Sequence, residues 1–235
     1  MKPLLLFDID GTLLRAHGAG ERAMARAGRL VMGESYSLES VTFSGGLDPS
    51  IFYEGAEQSG LRATEADHAR FRDAYLSLLP SQLELERDTV VALPGVHALL
   101  DELRQDDELE IGLLTGNYSE GAQLKLRHVG IEPNWFRIGA FGDLAPSRPE
   151  LVPVALAQYE RLHRARPPTE SVVIIGDTPR DVHCARVNGC QVLAVATGKY
   201  DADALRAAGA RHVAEDLTCS GALQEVLAVA RGGGG

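Results

Sequence analysis

Two carboxylates stand close together directly after an apolar run, in the segment FDIDGTLL, Phe7–Leu14. Side chains alternate along a strand, so Asp8 and Asp10 project to one side and Ile9 to the other. Such a pair is costly unless a cation neutralises it, and a hard oxygen-ligand site for Mg²⁺ is the natural solution. One carboxylate can then attack phosphorus while the other transfers protons. The alternative interpretation is a solvent-exposed Asp–Asp turn.

A second candidate site is the segment LLTGN, Leu113–Asn117, at the end of another apolar run. The hydroxyl of Thr115, the glycine Gly116 and exposed backbone N–H groups that lead into a helix form a natural phosphate cradle. The structural alternative is a Thr–Gly turn in which Asn117 caps the helix.

A third candidate site is the segment IIGDTPRDV, Ile174–Val182. Asp177 ends the strand and is predicted to bind the metal. Asp181 falls on the first turn of the next helix, where an acid also interacts favourably with the helix dipole. Three strand ends with compatible oxygen chemistry rarely coincide by chance, and ligands bind at the carboxyl ends of strands in open parallel sheets.

The elements that must position these residues are short apolar runs separated by stretches with helical spacing. Helices are predicted after Pro94, over Ser119–His128 and after Pro149. This alternation predicts an α/β fold, a Rossmann-like open parallel sheet with helices on both faces. The predicted strands are Leu4–Phe7, Ile111–Leu114, a run around Ile138–Phe141, Val172–Ile175 and Val192–Ala196.

The interval from residue 15 to residue 88 interrupts the alternation of strands and helices, and its pattern predicts an inserted α-helical cap domain. We therefore predict a core of residues 1–14 and 89–231, a cap of residues 15–88 and a flexible tail of residues 232–235. Thr64 and Asp67 resemble a capping box. The predicted cap helices are Glu21–Met32, Pro49–Gln58 and Thr64–Leu79.

The bulk composition excludes several classes of function. The 235 residues carry a formal net charge of -10, which argues against a general binder of nucleic acid or of anionic membranes. Cys184, Cys190 and Cys219 form no C-x-x-C pair and predict reduced thiols in a cytoplasmic protein. In MKPLLLFDID, acidic residues directly follow a short apolar run, which predicts a buried strand rather than a signal peptide.

The motifs DIDGTLL, LLTGN and GDTPRDV, in this order and at this spacing, resemble the signature motifs of the haloacid dehalogenase superfamily of hydrolases. The resemblance implies that Asp8 attacks phosphorus to give an aspartyl-phosphate. It implies that Asp10 protonates the leaving group and then activates water. Thr115, with the backbone of Gly116 and Asn117, would hold the phosphoryl oxygens.

The resemblance also implies a Mg²⁺ cofactor. Its ligands would be the Asp8 carboxylate, the Asp10 backbone carbonyl and Asp177, with Asp181 in support. The insertion after the first motif resembles the helical cap of the phosphoglycolate-phosphatase-like branch. The carboxylate of Asp10 favours phosphomonoester hydrolysis, or phosphoryl transfer between sugar positions.

The chain departs from the family pattern at the lysine that neutralises the nucleophile and the phosphate. The commoner pattern has Lys–Pro ahead of the helix before the last motif, and this chain has Arg148–Pro149. We favour Lys125, about two turns into the helix after LLTGN, with Arg148 and Lys199 as alternatives. A solvated helix face is the structural interpretation of Lys125.

The cap segment TFSGGLDPS, Thr42–Ser50, resembles a glycine-containing loop that lies over the substrate. Gly45 and Gly46 permit close backbone approach. Asp48 is predicted either to cap the helix that starts at Pro49 or to contact the substrate.

The sequence thus predicts a Mg²⁺-dependent phosphatase of small phosphorylated metabolites, phosphoglycolate-like or sugar phosphates. The alternatives are a phosphoglucomutase-like enzyme on the same scaffold and, from another class, a phospho-accepting signalling domain. The expected partner is a small-molecule phosphate ester, with neither nucleic acid nor membrane. The protein is expected to be a monomer or a homodimer.

Overall fold

The computed structural model describes residues 1–218 and 220–232. Cys219 and residues 233–235 lie outside this range, and so do the predictions made for that thiol and for most of the tail. Cys184 and Cys190 are free thiols. Within the described residues, no helix combines the length and the apolar character needed to cross a membrane.

Eight strands are present in the described residues. In chain order they are β1 (Leu4–Phe7), β2 (Leu14–Arg15), β3 (Val91–Ala92), β4 (Glu110–Leu114), β5 (Ile138–Ala140), β6 (Val172–Gly176), β7 (Gln191–Val195) and β8 (His212–Ala214).

The described residues also form nine α-helices. They are α1 (Ala19–Met32), α2 (Asp48–Gln58), α3 (Glu65–Leu85), α4 (Val96–Leu103), α5 (Ser119–His128), α6 (Leu151–His163), α7 (Pro179–Asn188), α8 (Ala202–Ala207) and α9 (Ser220–Ala230).

Six of the strands form one parallel sheet in the spatial order β5-β4-β1-β6-β7-β8. The five predicted strands are all in it, within one residue at each end. Strand β1 lies at the centre, and all of its residues are buried apolar residues. Continuous apolar runs suit such strands because both faces of the sheet are covered. The edge strand β8 was not predicted, since three residues are too short to show a period.

Helices cover both faces of this sheet, as the sequence predicts. Leu5 and Phe7 of β1 pack in an apolar cluster with residues of α4, α5 and α9. Leu4 and Leu6, which point to the other face, pack with residues of α6 and α7. The predicted fold class, an open α/β sheet with helices on both faces, is confirmed.

Helices α1, α2 and α3 form an insertion between β2 and β3. These two short strands pair antiparallel, so the chain leaves and re-enters the core at adjacent positions. The helices share an apolar cluster that includes Phe52, Phe71 and Tyr75, and Tyr118 beside α5 also belongs to it. The predicted capping box opens α3: the N–H of Thr64 donates to Asp67, and the N–H of Asp67 donates to the Thr64 hydroxyl.

Helix α3 runs beyond the predicted end at Leu79, through Pro80, to Leu85. Proline removes one hydrogen bond of a helix interior and usually bends or ends the helix. Here the buried side chains of Leu79 and Leu83, four residues apart on one face, stabilise the turn that contains it. The sequence-based end at Leu79 was therefore wrong.

Close packing inside the insertion gives a first prediction. A Cβ atom at Gly28 of α1 would lie 1.9 Å from the ring of Tyr36. Gly28→Ala should therefore lower the free energy of unfolding by about 1–3 kcal/mol, measured by urea denaturation. The control is Gly221→Ala in α9, where a Cβ meets no atom within 4 Å and helix propensity favours alanine. Equal effects of the two substitutions would contradict this account.

Candidate active site

Three buried carboxylates meet at the carboxyl end of the parallel sheet. Asp8 follows β1, Asp177 follows the neighbouring strand β6, and Asp181 lies in the first turn of α7. One ligand atom from each lies within 4.8 Å of the others. Carboxylate oxygens at this spacing are the donor set that hard divalent cations prefer.

The backbone fits closely around Asp177. A Cβ atom at Gly11 would lie 2.3 Å from its Oδ2 atom, and one at Gly198 would lie 1.7 Å from the same oxygen. The hydroxyl of Thr12 donates a hydrogen bond of 3.3 Å to its Oδ1 atom. Glycine is therefore required at both positions for the carboxylate to stay where it is.

Burial disfavours the ionised forms of the acids in this cluster. It raises the pKa of Asp8 to about 6, while the charge of Arg148 acts in the opposite direction. It raises the pKa of Asp177 to about 8, and the charges of Asp8 and Asp181 act in the same direction. One guanidinium against three carboxylates leaves net negative charge, so the site suits an additional cation.

Arg148 is the cation that contacts the predicted nucleophile. Its Nη2 atom lies 2.7 Å from Asp8 Oδ2 and 2.6 Å from Asp181 Oδ1, and its Nε donates to the latter oxygen at 3.0 Å. Burial alone would lower the pKa of Arg148, but Asp181 and Asp8 raise it above its usual value. The guanidinium therefore stays charged and links the two carboxylates.

The remaining oxygen of Asp181 belongs to the start of α7. The backbone N–H and the hydroxyl of Thr178 donate to Asp181 Oδ2 at 3.1 and 2.7 Å, in a capping box. Both oxygens thus have protein partners. Asp181 lies behind Arg148 and holds it against Asp8.

Lys125 contacts the other carboxylate of the first motif. It projects from α5, and its buried Nζ atom lies 2.6 Å from Asp10 Oδ2 and 2.6 Å from Asn117 Oδ1. Asn117 Nδ2 donates to the same Asp10 oxygen and to the Thr115 hydroxyl, each at 2.8 Å. Burial opposes the charge of Lys125, but Asp10 and Asp48 raise its pKa. This network fixes the orientation of Asp10.

The insertion touches the core at the predicted phosphate cradle. A Cβ atom at Gly116 would lie 1.8 Å from the carbonyl oxygen of Gly46. The Asp48 N–H donates to the Gly116 carbonyl, and its Oδ2 atom accepts from the Tyr118 N–H, each at 2.8 Å. Burial raises the pKa of this carboxyl to about 7.

The prediction that Asp48 caps the next helix was wrong. Helix α2 begins at Asp48 itself, and the residue before it makes no side-chain cap. The Asp48 carboxylate turns to the core instead, because the buried N–H of Tyr118 takes it as a partner.

Most predicted site residues line one cavity between the core and the insertion. Asp181 is behind its wall, and the exposed Lys199 lies at its rim. Sequence reasoning missed two residues, Thr12 and Tyr75. Thr12 could have been found from its place in the first motif, whereas Tyr75 has the spacing of an ordinary core residue. The predicted residues in the lining are Asp8, Asp10, Gly45, Gly46, Asp48, Thr115, Gly116, Asn117, Lys125, Arg148 and Asp177.

The fold and the site together define an α/β protein with a parallel sheet, a cluster of buried acids at its carboxyl edge and a helical insertion beside that cluster. The family model for haloacid dehalogenase-like hydrolases matches residues 5–186. The chain belongs to this family. No curated protein matches it.

Solved structures share the fold at low identity. A mutant of CbbY from Rhodobacter sphaeroides with xylulose-1,5-bisphosphate is 18% identical over 94% of this chain and 97% of its own, with TM-score 0.74. A predicted phosphoglycolate phosphatase from Haemophilus somnus is 17% identical over 92% and 95%, with TM-score 0.63. A candidate β-phosphoglucomutase from Thermotoga maritima is 20% identical over 98% and 99%, with TM-score 0.59.

The acid cluster predicts an unusual dependence of stability on pH. Asp8 and Asp177 hold protons in the folded protein at pH values where the unfolded chain, with pKa values near 3.8, has lost them. Without divalent cations, the free energy of unfolding should therefore fall as pH rises from about 4 to about 8.

Urea denaturation in chelator, across this range, measures the effect. In Asp177→Asn, the free energy of unfolding should fall less steeply between about pH 6 and pH 8. For the wild type, added Mg²⁺ should make the free energy of unfolding rise with pH, because the cation replaces the protons. A stability that rises with pH in chelator, or that is the same in the Asp177→Asn protein, would contradict this electrostatic picture.

Proposed function

We propose that the protein is a Mg²⁺-dependent phosphatase that hydrolyses small phosphorylated metabolites through an aspartyl-phosphate on Asp8. The observation that carries the proposal is that two carboxylates in one cavity each form an ion pair with a different cation. Arg148 pairs with Asp8, and Lys125 pairs with Asp10. Two acids with different partners can take different roles, one as nucleophile and one as proton donor and acceptor.

The residues that would hold Mg²⁺ are Asp8, Asp177 and the backbone carbonyl of Asp10, with Asp181 in support. When bound, Mg²⁺ supplies positive charge beside the attacking carboxylate and the phosphoryl oxygens. The glycines packed against Asp177 and the excess of negative charge support this assignment.

In the first step, an Asp8 oxygen bonds to phosphorus and the ester bond breaks. The leaving oxygen takes a proton from Asp10, so the alcohol departs neutral. The N–H of Ile9 donates to Asp8 Oδ1 at 2.8 Å and Arg148 contacts Oδ2, which together orient this carboxylate. The Thr115 hydroxyl and the backbone N–H groups of the cradle would hold the phosphoryl oxygens.

In the second step, Asp10 takes a proton from water as the water oxygen bonds to phosphorus. The bond between phosphorus and Asp8 breaks, and phosphate leaves with Asp8 restored as a carboxylate and Asp10 as a protonated acid. Lys125 acts as a positioning residue in both steps, because it holds the oxygen of Asp10 that Asn117 also binds.

We also propose that residues 15–88 act as a cap over a core of residues 1–14 and 89–231. The apolar cluster that the helices of the insertion share and the pairing of β2 with β3 support this division. The close approach of Gly46 to Gly116 supports a cap that excludes water from the cradle. Absence of nucleic-acid and membrane partners, a cytoplasmic location and a monomeric or homodimeric state stay predictions.

Loss of the nucleophile tests the proposal first. With Mg²⁺, the wild type should release inorganic phosphate from p-nitrophenyl phosphate and from members of a panel of phosphorylated metabolites. Asp8→Asn should abolish release without unfolding the protein, because an amide does not attack phosphorus. A folded wild type that binds Mg²⁺ and releases no phosphate would overturn the phosphatase and favour a phospho-accepting signalling domain. A hexose phosphate that is isomerised instead of hydrolysed would favour the phosphoglucomutase-like alternative.

Removal of Lys125 and removal of Arg148 should lower kcat/KM in different ways when substrates with different leaving groups are compared. Lys125→Ala disturbs Asp10, so kcat/KM should fall about 100-fold or more for an alkyl phosphate, which needs a proton donor. It should fall about tenfold or less for p-nitrophenyl phosphate, whose leaving group departs without one. Arg148→Ala disturbs Asp8, so both substrates should lose kcat/KM to the same extent.

Lys199→Ala is the matched control, because this lysine is exposed at the rim of the cavity. Its kcat/KM for both substrates should be close to the wild-type value. If Lys125→Ala and Arg148→Ala give the same pattern, the division of roles between the two cations is wrong.

A further inference from the structure

The hydroxyl of Tyr75 is a buried polar group without a partner. Tyr75 lies on α3, and its side chain is fully buried. Its Oη atom is one of two buried side-chain polar atoms in the described residues that have no hydrogen-bond partner, and the other is Nε of Arg72. Buried polar groups are almost always hydrogen-bonded, so an exception on a cavity wall points to a ligand atom.

The other buried tyrosine hydroxyls nearby do have partners. Tyr36 Oη donates to the Phe52 carbonyl at 3.3 Å, and Tyr118 Oη lies 2.7 Å from His68 Nε2. The missing partner is therefore specific to the tyrosine that lines the cavity and is not a general feature of the insertion.

The position of Tyr75 places its hydroxyl beside the reacting groups. A Cβ atom at Gly20 would lie 3.7 Å from Tyr75 Oη and 3.3 Å from Lys125 Nζ. Gly20 carries no side chain, so this corner of the cavity stays open. Lys125 forms an ion pair with Asp10, so this corner lies next to Asp10, the proposed proton donor to the leaving group.

A second polar group lines the same cavity. Asp48 uses its Oδ2 atom for the Tyr118 N–H, and its Oδ1 atom makes no hydrogen bond to any of the described residues. Tyr75 can donate a hydrogen bond and Asp48 can accept one. A hydroxyl group both accepts and donates, so its chemistry matches both of these groups.

A carboxylate would not satisfy this pair. Above the pKa of Asp48, which burial raises to about 7, a substrate carboxylate has no proton to give to Asp48, and its charge would be repelled by that acid. Lys125, the cation at this corner, already pairs with Asp10 and Asn117. The lining of the same cavity includes the apolar side chains of Met24 and Ile51, which suit a short carbon chain.

We propose that Tyr75 and Asp48 bind a hydroxyl group of the leaving group, and that the substrates are phosphate monoesters of neutral hydroxylated compounds rather than of carboxylic acids. This inference rests on the proposed phosphatase function and assigns its substrate class. Tyr75 is then a specificity-determining residue.

Three esters of similar length test it: n-propyl phosphate, glycerol 1-phosphate and 2-carboxyethyl phosphate. The wild type should have its highest kcat/KM for the glycerol ester and its lowest for the carboxylate. In Tyr75→Phe, the ratio of kcat/KM between the glycerol and propyl esters should fall about tenfold or more, as expected where a site loses a hydrogen bond to a substrate hydroxyl. In assays at about pH 8 or above, where Asp48 is ionised, Asp48→Asn should raise the relative kcat/KM of the carboxylate, because it removes a repelling charge.

Tyr36→Phe is the matched control. It removes a buried hydroxyl that has a protein partner, so it should lower thermal stability and leave the ratio between the esters unchanged. Tyr75→Phe removes a hydroxyl without a protein partner, so its thermal stability should equal or exceed that of the wild type.

The outcomes separate this inference from the proposed function. A ratio that Tyr75→Phe does not change, or an equal loss on all three esters, would overturn the role of Tyr75 while phosphate release stands. A wild type that hydrolyses p-nitrophenyl phosphate without preferring the glycerol ester would overturn the substrate class. A wild type that releases phosphate from no ester would overturn the proposed function, and this inference with it.

Discussion

The crowding of carboxylates at one end of the sheet is the constraint on which the rest of the site depends. Asp8, Asp177 and Asp181 are buried within reach of one another. Buried charges of one sign persist only if opposite charge or protons balance them. Arg148 supplies part of the balance, while burial and, to a lesser extent, the neighbouring acids raise the pKa values of Asp8 and Asp177. A divalent cation is the simplest remaining source of positive charge.

The order of the strands brings these groups together. Strand β1 lies between β4 and β6, so the three motifs that follow these strands converge above its end. The insertion lines the same cavity, and glycines at positions 46 and 116 allow its backbone to approach the segment Thr115–Asn117. The same strand order therefore brings together the acids, the segment Thr115–Asn117 and the cavity that they line.

Much of this arrangement could be predicted from sequence because it depends on strand ends. Apolar runs locate the strands, and Asp8, Thr115 and Asp177 follow them directly. The sequence favours Lys125 as the cation for Asp8, with Arg148 and Lys199 as alternatives, because sequence spacing does not show which cation reaches which acid. Only the packed structure places Arg148 on Asp8 and Lys125 on Asp10. Tyr75 carries no signal in the sequence, because a buried aromatic residue on a helix is ordinarily part of the core.

The most direct test of the account is to trap the covalent intermediate. Wild-type and Asp10→Asn protein would be mixed with p-nitrophenyl phosphate and Mg²⁺, quenched rapidly and reduced with borohydride, which converts an aspartyl-phosphate to homoserine. Peptide mass spectrometry should then find homoserine at position 8 alone, with more of it in the Asp10→Asn protein, because water is activated slowly there. Hydrolysis by the wild type without any modification at position 8, or with modification at another aspartate, would contradict the assignment of Asp8 as the nucleophile.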